Sequence, residues 1–592
     1  MISIIPTHNK SFRAFGWVQD PSNLRSLCDV VAVFDPNSQK HKELITTIIP
    51  KLVEKRDGRD KFIQVLKTTP LKIKYADLVG THLIPRSLSR CNGIIQATVK
   101  GQGRDFIGDW PADNFVRWAH CFGFIKYDYK DDSFEITGKG LELTRARETG
   151  ETLSEKEREL LIDAILAYPP AIRILNLLSE TEETHLTKFE IGQQLGFIGE
   201  DGFTSMPQKI FIRSLSNANP KEKNIMKADW EGSSDKYARM IASWLEKLGL
   251  VEKMPKKISV SIAGKECSET IGQSYIITAK GITSLRRANG KSKHKRIAKN
   301  VCWEMLSTKG VDREYLRTRR AFILKYLCEN KNHVSVLEII DYLKTVHLKE
   351  TENTVLDDIK GLQNIGINIL CRDNKFWLDD EINDFVIPLS QSLAKSDLAE
   401  TKEAIRGEML NLSHEYLALI DLAYDSKQNR LFEMKTLDLL TEECGYQGLH
   451  LGGSRKPDGI IYTNSDECKY GVIIDTKAYS KGYGLPISQA DEMERYIGEN
   501  QTRNKKINPN KWWEHFSGDI NEFYFMFVSG HFIGNFKSQI ERISRNKGVN
   551  GTALAITNLL LCAEAYKSGQ LTHKAIKDEM FNNAEYIFDK NR

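Results

Sequence analysis

The chain has 592 residues, 41% hydrophobic and 28% charged, with a net charge of +5. Such a length exceeds one core and predicts about three to five domains of ordinary soluble type. No apolar run is long enough to span a membrane, and the mild positive charge permits nucleic-acid binding without establishing it. The opening segment, MISIIPTHNKSFRAF, lacks the basic start and continuous apolar stretch of a signal peptide, so a cytoplasmic location is expected.

In chain order the residues repeat a unit. One copy has Trp118, a turn at Gly123 and the stretch 131–146 (DDSFEITGKGLELTRA). Another has Trp244, a turn at Gly249 and the stretch 273–288 (QSYIITAKGITSLRRA). Each reads as a helix, a glycine turn, a β-hairpin wing and a further helix. Ahead of the second copy, 171–178 (AIRILNLL) and 186–197 (LTKFEIGQQLGF) carry the apolar spacing and glycine of a helix-turn-helix. A third copy runs over 319–378, closing on CRDNKFWL as its hairpin. Three winged-helix-like units are therefore expected. A basic run, 286–299 (RRANGKSKHKRIAK), lies between the second and third and reads as a solvated linker that adds phosphate contacts. An acidic and then mixed stretch, 379–396, reads as a connector. Helix is expected from Asp397 onward through 402–426, then a small sheet, then helix again over 553–566.

Some classes of function are disfavoured. The ten cysteines form no CxxC pair and no zinc-finger spacing, so they are expected to be free thiols, mostly in cores. The GKS at 290–292 has Leu285 where a phosphate-binding loop needs its first glycine, so no ATP-driven step is expected. There is no NPPY or DPPY tetrapeptide of an adenine methyltransferase.

The strongest motif is KPDGIIY followed by YGVIIDTKAYS. Residues 460–462 and 470–474 are apolar and β-prone, and the polar 463–469 joins them as a turn. Side chains alternate along a strand, so Asp475 and Lys477 share a face, and Asp458 at the mouth of the first strand can approach Asp475. Two carboxylates suit a hard cation such as Mg2+. The cation polarises a phosphodiester and helps to form a hydroxide nucleophile. A lysine beside them can orient or deprotonate water and offset negative charge.

This arrangement resembles the PD-(D/E)xK nuclease superfamily. The longer run from HLGGSRKPDGIIYT through SKGYGLPISQADEMERY to NQTRNKKINPNKWW and FVSGHFIGNF resembles the cleavage domain of FokI-like type IIS restriction endonucleases. The likeness continues in FGWVQDP, IIQATV, FVRWAH, YPPAIRIL, HLTKFEIGQQLGF, WEGSSDKYARMI and RTRRAFIL, and so covers nearly the whole chain. It implies a multidomain protein: N-terminal winged-helix (helix-turn-helix, α+β) DNA-recognition subdomains, then a C-terminal α/β PD-(D/E)xK nuclease domain with a central mixed sheet. The expected layout is subdomains at 1–155, 156–296 and 297–380, the third for docking and regulation, a linker at 381–396 and the nuclease at 397–592.

The resemblance assigns catalysis to Asp458, Asp475 and Lys477, with Mg2+ held by Asp458 and Asp475 and Mn2+ able to substitute. Glu433 is a weaker acidic candidate. Base contacts fall to Gln19, with Asp20 beside it, Arg86, Gln102 and Trp110 in the first unit, and to Glu231, Lys236 and Arg239 in the second. Ser233 or Ser234 is expected to cap the helix that presents Lys236 and Arg239 to the major groove. Asp20 and Ala228 stand where the family has asparagine. Aspartate cannot donate a hydrogen bond, and alanine can neither donate nor accept, so a bidentate adenine contact is lost at both. The resemblance implies a GGATG-type site, with one or two bases left open by these departures. Dimerisation is implied through Asp491 and Arg495, four apart on one helix face. They would pair reciprocally across a two-fold axis, forming a transient homodimer on double-stranded DNA. The nuclease is expected to stay docked until DNA is bound, and protective methylation to come from a separate chain. Two alternatives remain: a winged-helix regulator with an inactive nuclease fold, and a strand-specific nicking enzyme.

Overall fold

Short strands that run straight into capped helices organise the N-terminal part. In the computed structural model, which describes residues 2–6, 16–80, 90–148, 150, 152–181, 185–262, 265–330, 332–389 and 393–589, the chain forms two compact units. One comprises Met1–Phe197, Lys236–Met254 and Gln273–Lys395; the other comprises Ile198–Asp235, Pro255–Gly272 and Ser396–Arg592.

The first unit holds three small antiparallel sheets of three strands, each with its own helices. Leu186–Thr187 and Val334–Ser335 are two-residue strands, and each ends in a capping box. Thr187 bonds with Glu190, and Ser335 with Glu338, so the helix starts as the strand stops. The repeated tryptophans meet: Trp118 and Trp244 stack at 4.7 Å with both side chains buried. Two expectations change. The ends of the basic run 286–299 are built into the fold, because Arg287 forks onto Asp163, Arg296 pairs with Asp379 and Asp380, and Lys299 is buried. The stretch read as a connector contributes the strand Val386–Leu389, paired in parallel with Ser3–Pro6.

The second unit is built on one six-stranded mixed sheet. Its strands are β1 (Gln447–His450), β2 (Gly459–Asn464), β3 (Lys469–Lys477), β4 (Phe523–Ser529), β5 (Gly551–Ala555) and β6 (Ala584–Tyr586), in that spatial order. The first three pair antiparallel and the rest parallel. The helices used below are α1 (Asn429–Asp438), α2 (Ile487–Thr502) and α3 (Phe536–Lys547). Alternation divides the sheet's core. Ile460, Ile473, Phe525 and Ala553 pack with Met493, Ile497, Ile540 and Trp512 on one face. Ile461, Val472, Met526 and Leu554 gather with Leu440 and Leu559 on the other.

Residues 553–555, expected as helix, are instead the end of β5, and helix begins at Ile556. The run GTALA is short and apolar, so composition does not separate strand from helix. Its place between two parallel neighbours decides. A Cβ on Gly551 would lie 2.3 Å from the Phe525 ring, so Gly551→Ala should destabilise this unit by about 1–3 kcal/mol. Denaturant unfolding checks this, and a loss under about 0.5 kcal/mol, the range of surface changes, would show that the ring moves aside freely.

Candidate active site and DNA-reading surface

β3 extends past the apolar run because its last residues pair with β4: Asp475 faces Phe527 and Lys477 faces Ser529 in the register. Alternation then puts Asp475 and Lys477 together, and Lys477 Nζ donates to Asp475 Oδ1 at 2.7 Å. Asp458 stands one residue before β2. Its Oδ2 accepts from the Thr476 amide at 2.7 Å and from the Thr476 hydroxyl at 3.2 Å, and lies 3.9 Å from Lys477 Nζ. Burial, and then the charge of Asp458, push the Asp475 carboxyl well above the usual range. Burial works against the Lys477 charge, but Asp475 and Asp458 outweigh it and the net shift is upward. Two carboxylates this close favour a shared proton or a shared cation, and oxygen donors fit a hard divalent ion.

The loop before Asp458 is tied down by side chains that the motif does not reveal. Tyr496 of α2 donates to the Lys456 carbonyl at 2.7 Å. Asn508 donates to the Arg455 carbonyl at 2.9 Å and to Glu499 at 2.8 Å, and Trp512 Nε1 reaches the same Glu499 oxygen at 2.9 Å. The only advance signal was the block NPNKWW, two of whose residues turn out to be these.

Glu433 lies on α1, where its charge reaches Lys477. It is held by the buried His450 imidazole, with Nε2 3.0 Å from Glu433 Oε2. Gly452, at φ +50°, packs on the same ring, where a Cβ would come within 2.8 Å. The segment Ile198–Asp235 covers this edge of the sheet. Trp230 meets the His450 ring at 5.4 Å. Arg430 of α1 lies over Trp230 at 4.7 Å and pairs with Asp229 at 2.8 Å. Ser214 donates to the His450 carbonyl at 3.2 Å, and Lys209 and Arg213 pair with Glu442.

On α2, Asp491 and Arg495 do not pair with each other. Asp491 accepts from Arg542 of α3 at 2.6 Å, and Arg495 donates to Glu492 at 3.0 Å. Both keep exposed surface, 61% and 39% of the side chain.

Several of the expected base readers converge in the first unit. Trp110 is 44% exposed, and its indole N–H donates to Asp20 at 2.6 Å. Gln19 donates to the Tyr237 hydroxyl at 3.1 Å, next to Lys236. Lys236 opens the helix Lys236–Lys247 and is exposed, and Arg239 follows one turn on. Asp235, at φ +49°, precedes that helix, and the Ser234 amide closes on the Trp230 carbonyl at 3.2 Å. Gln102 is exposed. Glu231 belongs to the second unit, at the end of the turn Lys227–Glu231. Arg86 lies outside the described residues.

Comparison with known families matches four segments: FokI recognition domain subdomain 1 at residues 13–146, subdomain 2 at 157–293, the FokI D3 domain at 306–374 and the FokI cleavage domain at 395–587. The type II restriction enzyme FokI of Planomicrobium okeanokoites is 46% identical over 97% of this chain and 99% of its own length. The type II restriction enzyme StsI of Streptococcus sanguinis is 35% identical over 96% and 95%. Solved structures of restriction endonuclease FokI, alone and bound to DNA, each superpose with a TM-score of 0.91, at 46% and 45% identity, over 98% of this chain and 100% of theirs.

Proposed function

Because this chain belongs to the FokI family of type II restriction enzymes, we propose that it binds a short asymmetric DNA site and cuts both strands at a fixed distance to one side. Membership makes it a site-specific DNA endonuclease with separate recognition and cleavage parts. The observation that carries the chemistry is the meeting of Asp475, Lys477 and Asp458 at 2.7 and 3.9 Å.

Asp458 and Asp475 are the residues that would hold Mg2+, or Mn2+ in its place. When bound, the ion supplies a polarised phosphodiester and a more acidic water. The chain's own groups do the rest. Thr476 fixes Asp458 through two hydrogen bonds. The Lys477 ammonium, anchored on Asp475, orients the attacking water and offsets charge in the transition state. No group for ATP use is called for.

In this reading one nuclease part cuts one strand, so a double-strand break needs two, meeting transiently through α2 with Asp491 and Arg495 at the contact. Each would first leave Arg542 or Glu492. Because exposed pairs contribute about 0–1 kcal/mol, that exchange favours a weak dimer formed only on DNA. Reading falls to Gln19, Asp20, Arg86, Gln102, Trp110, Glu231, Lys236 and Arg239. The family resemblance supports a GGATG-type site, with one or two bases open at Asp20, whose carboxylate accepts only, and at Ala228, which does neither. The enzyme would act in the cytoplasm, with host DNA protected by a methyltransferase on a separate chain. Among the described residues no single helix is long and apolar enough to cross a membrane.

Run-off sequencing of phage DNA cut by the purified protein with Mg2+ tests the whole reading. Ends at one constant offset from one asymmetric motif are expected. Specific binding without cleavage would favour a regulator, open-circular plasmid alone a nicking enzyme, and scattered ends would remove the specific reader.

A further inference from the structure

A second group of side chains able to ligate a metal lies in the first unit. His120, Cys302 and Glu304 each offer one donor atom, and the three atoms lie within 4.8 Å of one another. His120 comes from the helix Asp109–Cys121, and the other two flank Trp303 at the turn Trp303–Leu306. The donors are an imidazole nitrogen, a thiol sulfur and a carboxylate oxygen.

Each donor is prepared by its surroundings. His120 Nδ1 lies 3.2 Å from the Ile125 carbonyl oxygen, so it carries the N–H and the lone pair is on Nε2. Metal-bound histidines are commonly held by such a carbonyl. Glu304 is 1% exposed. The Tyr129 hydroxyl donates to its Oε1 at 2.5 Å, whereas Oε2 is buried with no hydrogen-bond partner. A buried carboxylate oxygen without a partner is costly and calls for a cation or a donor. Cys302 is held at the head of the turn, its carbonyl accepting from the Met305 amide at 3.0 Å. The residues His120 and Cys302 are partly exposed, while the His120 Nε2 donor atom is buried.

We propose that His120, Cys302 and Glu304 form a site for a borderline-soft divalent transition metal, zinc being the natural occupant, which staples the end of the helix Asp109–Cys121 to the turn Trp303–Leu306. The thiolate decides against magnesium, which takes oxygen donors and belongs at Asp458 and Asp475. On loading, a metal–sulfur bond forms and the Cys302 proton passes to solvent. Three protein ligands leave one further position on a tetrahedral ion. The competing role for Glu304 is counter-ion to the buried Arg317, which its charge also reaches.

The test uses the full chain carrying Asp475→Ala, so that the nuclease centre does not compete for the ion. After equilibration with zinc and desalting, about one zinc per chain is expected, and the unfolding temperature should rise over the chelated sample. Cobalt(II) in place of zinc should give a thiolate-to-cobalt charge-transfer band, lost in Cys302→Ser. Tyr129→Phe should weaken zinc binding about ten- to hundredfold. Absence of the thiolate band in the parent overturns the proposal without any further variant. So does a zinc-induced shift that survives in Glu304→Gln, which would leave Glu304 only its charge on Arg317.

Discussion

Asp475→Ala is expected to abolish cleavage, lowering the rate by about a thousandfold or more, the scale of losing one electrostatic stabiliser in a closed site, while specific DNA binding persists. The carboxylate does two jobs. It is one of two oxygen donors for the cation, and it is the acceptor that fixes Lys477 at 2.7 Å. Without it the ammonium has Asp458 as its nearest acidic neighbour, 3.9 Å away, and the water it should orient loses its reference. The fold should tolerate the change. Asp475 is buried beside a like charge and resists ionisation, so removing it relieves repulsion as well as deleting an ion pair. Binding measured by anisotropy should stay within about twofold, because the expected base and phosphate contacts lie elsewhere. Cleavage retained within about tenfold would reject this site. Loss of binding together with cleavage would show that Asp475 supports the structure instead.

The parts legible in advance were those with a local rule. Period-two alternation put Asp475 and Lys477 on one face, and the structure bonds them. The paired tryptophans and glycine turns announced repeated units, and Trp118 stacks on Trp244. What stayed hidden was set by long-range contact. Nothing local marks Gly551 as strand, since the Phe525 ring that requires it lies on another strand. Glu433 was an acidic candidate, but nothing local pairs it with His450, 17 residues on. His120 and Cys302 are separated by the whole of recognition subdomain 2, so cysteine spacing could not pair them. The basic run looked solvated because its acidic partners, Asp163, Asp379 and Asp380, are remote in sequence.

Trp230→Ala is expected to free the segment Ile198–Asp235 from the sheet edge and to raise cleavage away from the recognition site. Several interactions hold that contact, and magnitudes separate those made by Arg430 and Trp230. Arg430 with Asp229 is an exposed pair, at 43% and 55%, and such pairs contribute about 0–1 kcal/mol. The Arg430 contact to the Trp230 face adds about 0.5–1 kcal/mol. Trp230 itself is 8% exposed, and truncating a buried tryptophan costs about 3–5 kcal/mol. Arg430→Ala should therefore be mild and Trp230→Ala severe. Hydrogen exchange across the helix Gln208–Asn217 reports the release, and off-site ends counted by sequencing report the consequence, with a rise of about tenfold or more, since each 1.4 kcal/mol of lost docking is tenfold. The coupling has a physical route. Glu231 follows Trp230 in the same turn, so a carboxylate drawn to a cytosine amino group would move the ring that covers His450, and His450 holds Glu433 beside Lys477. Faster exchange with unchanged off-site cutting would reduce this contact to scaffolding. Neither change would mean that the helix Gln208–Asn217, through Lys209, Arg213 and Ser214, holds the edge alone.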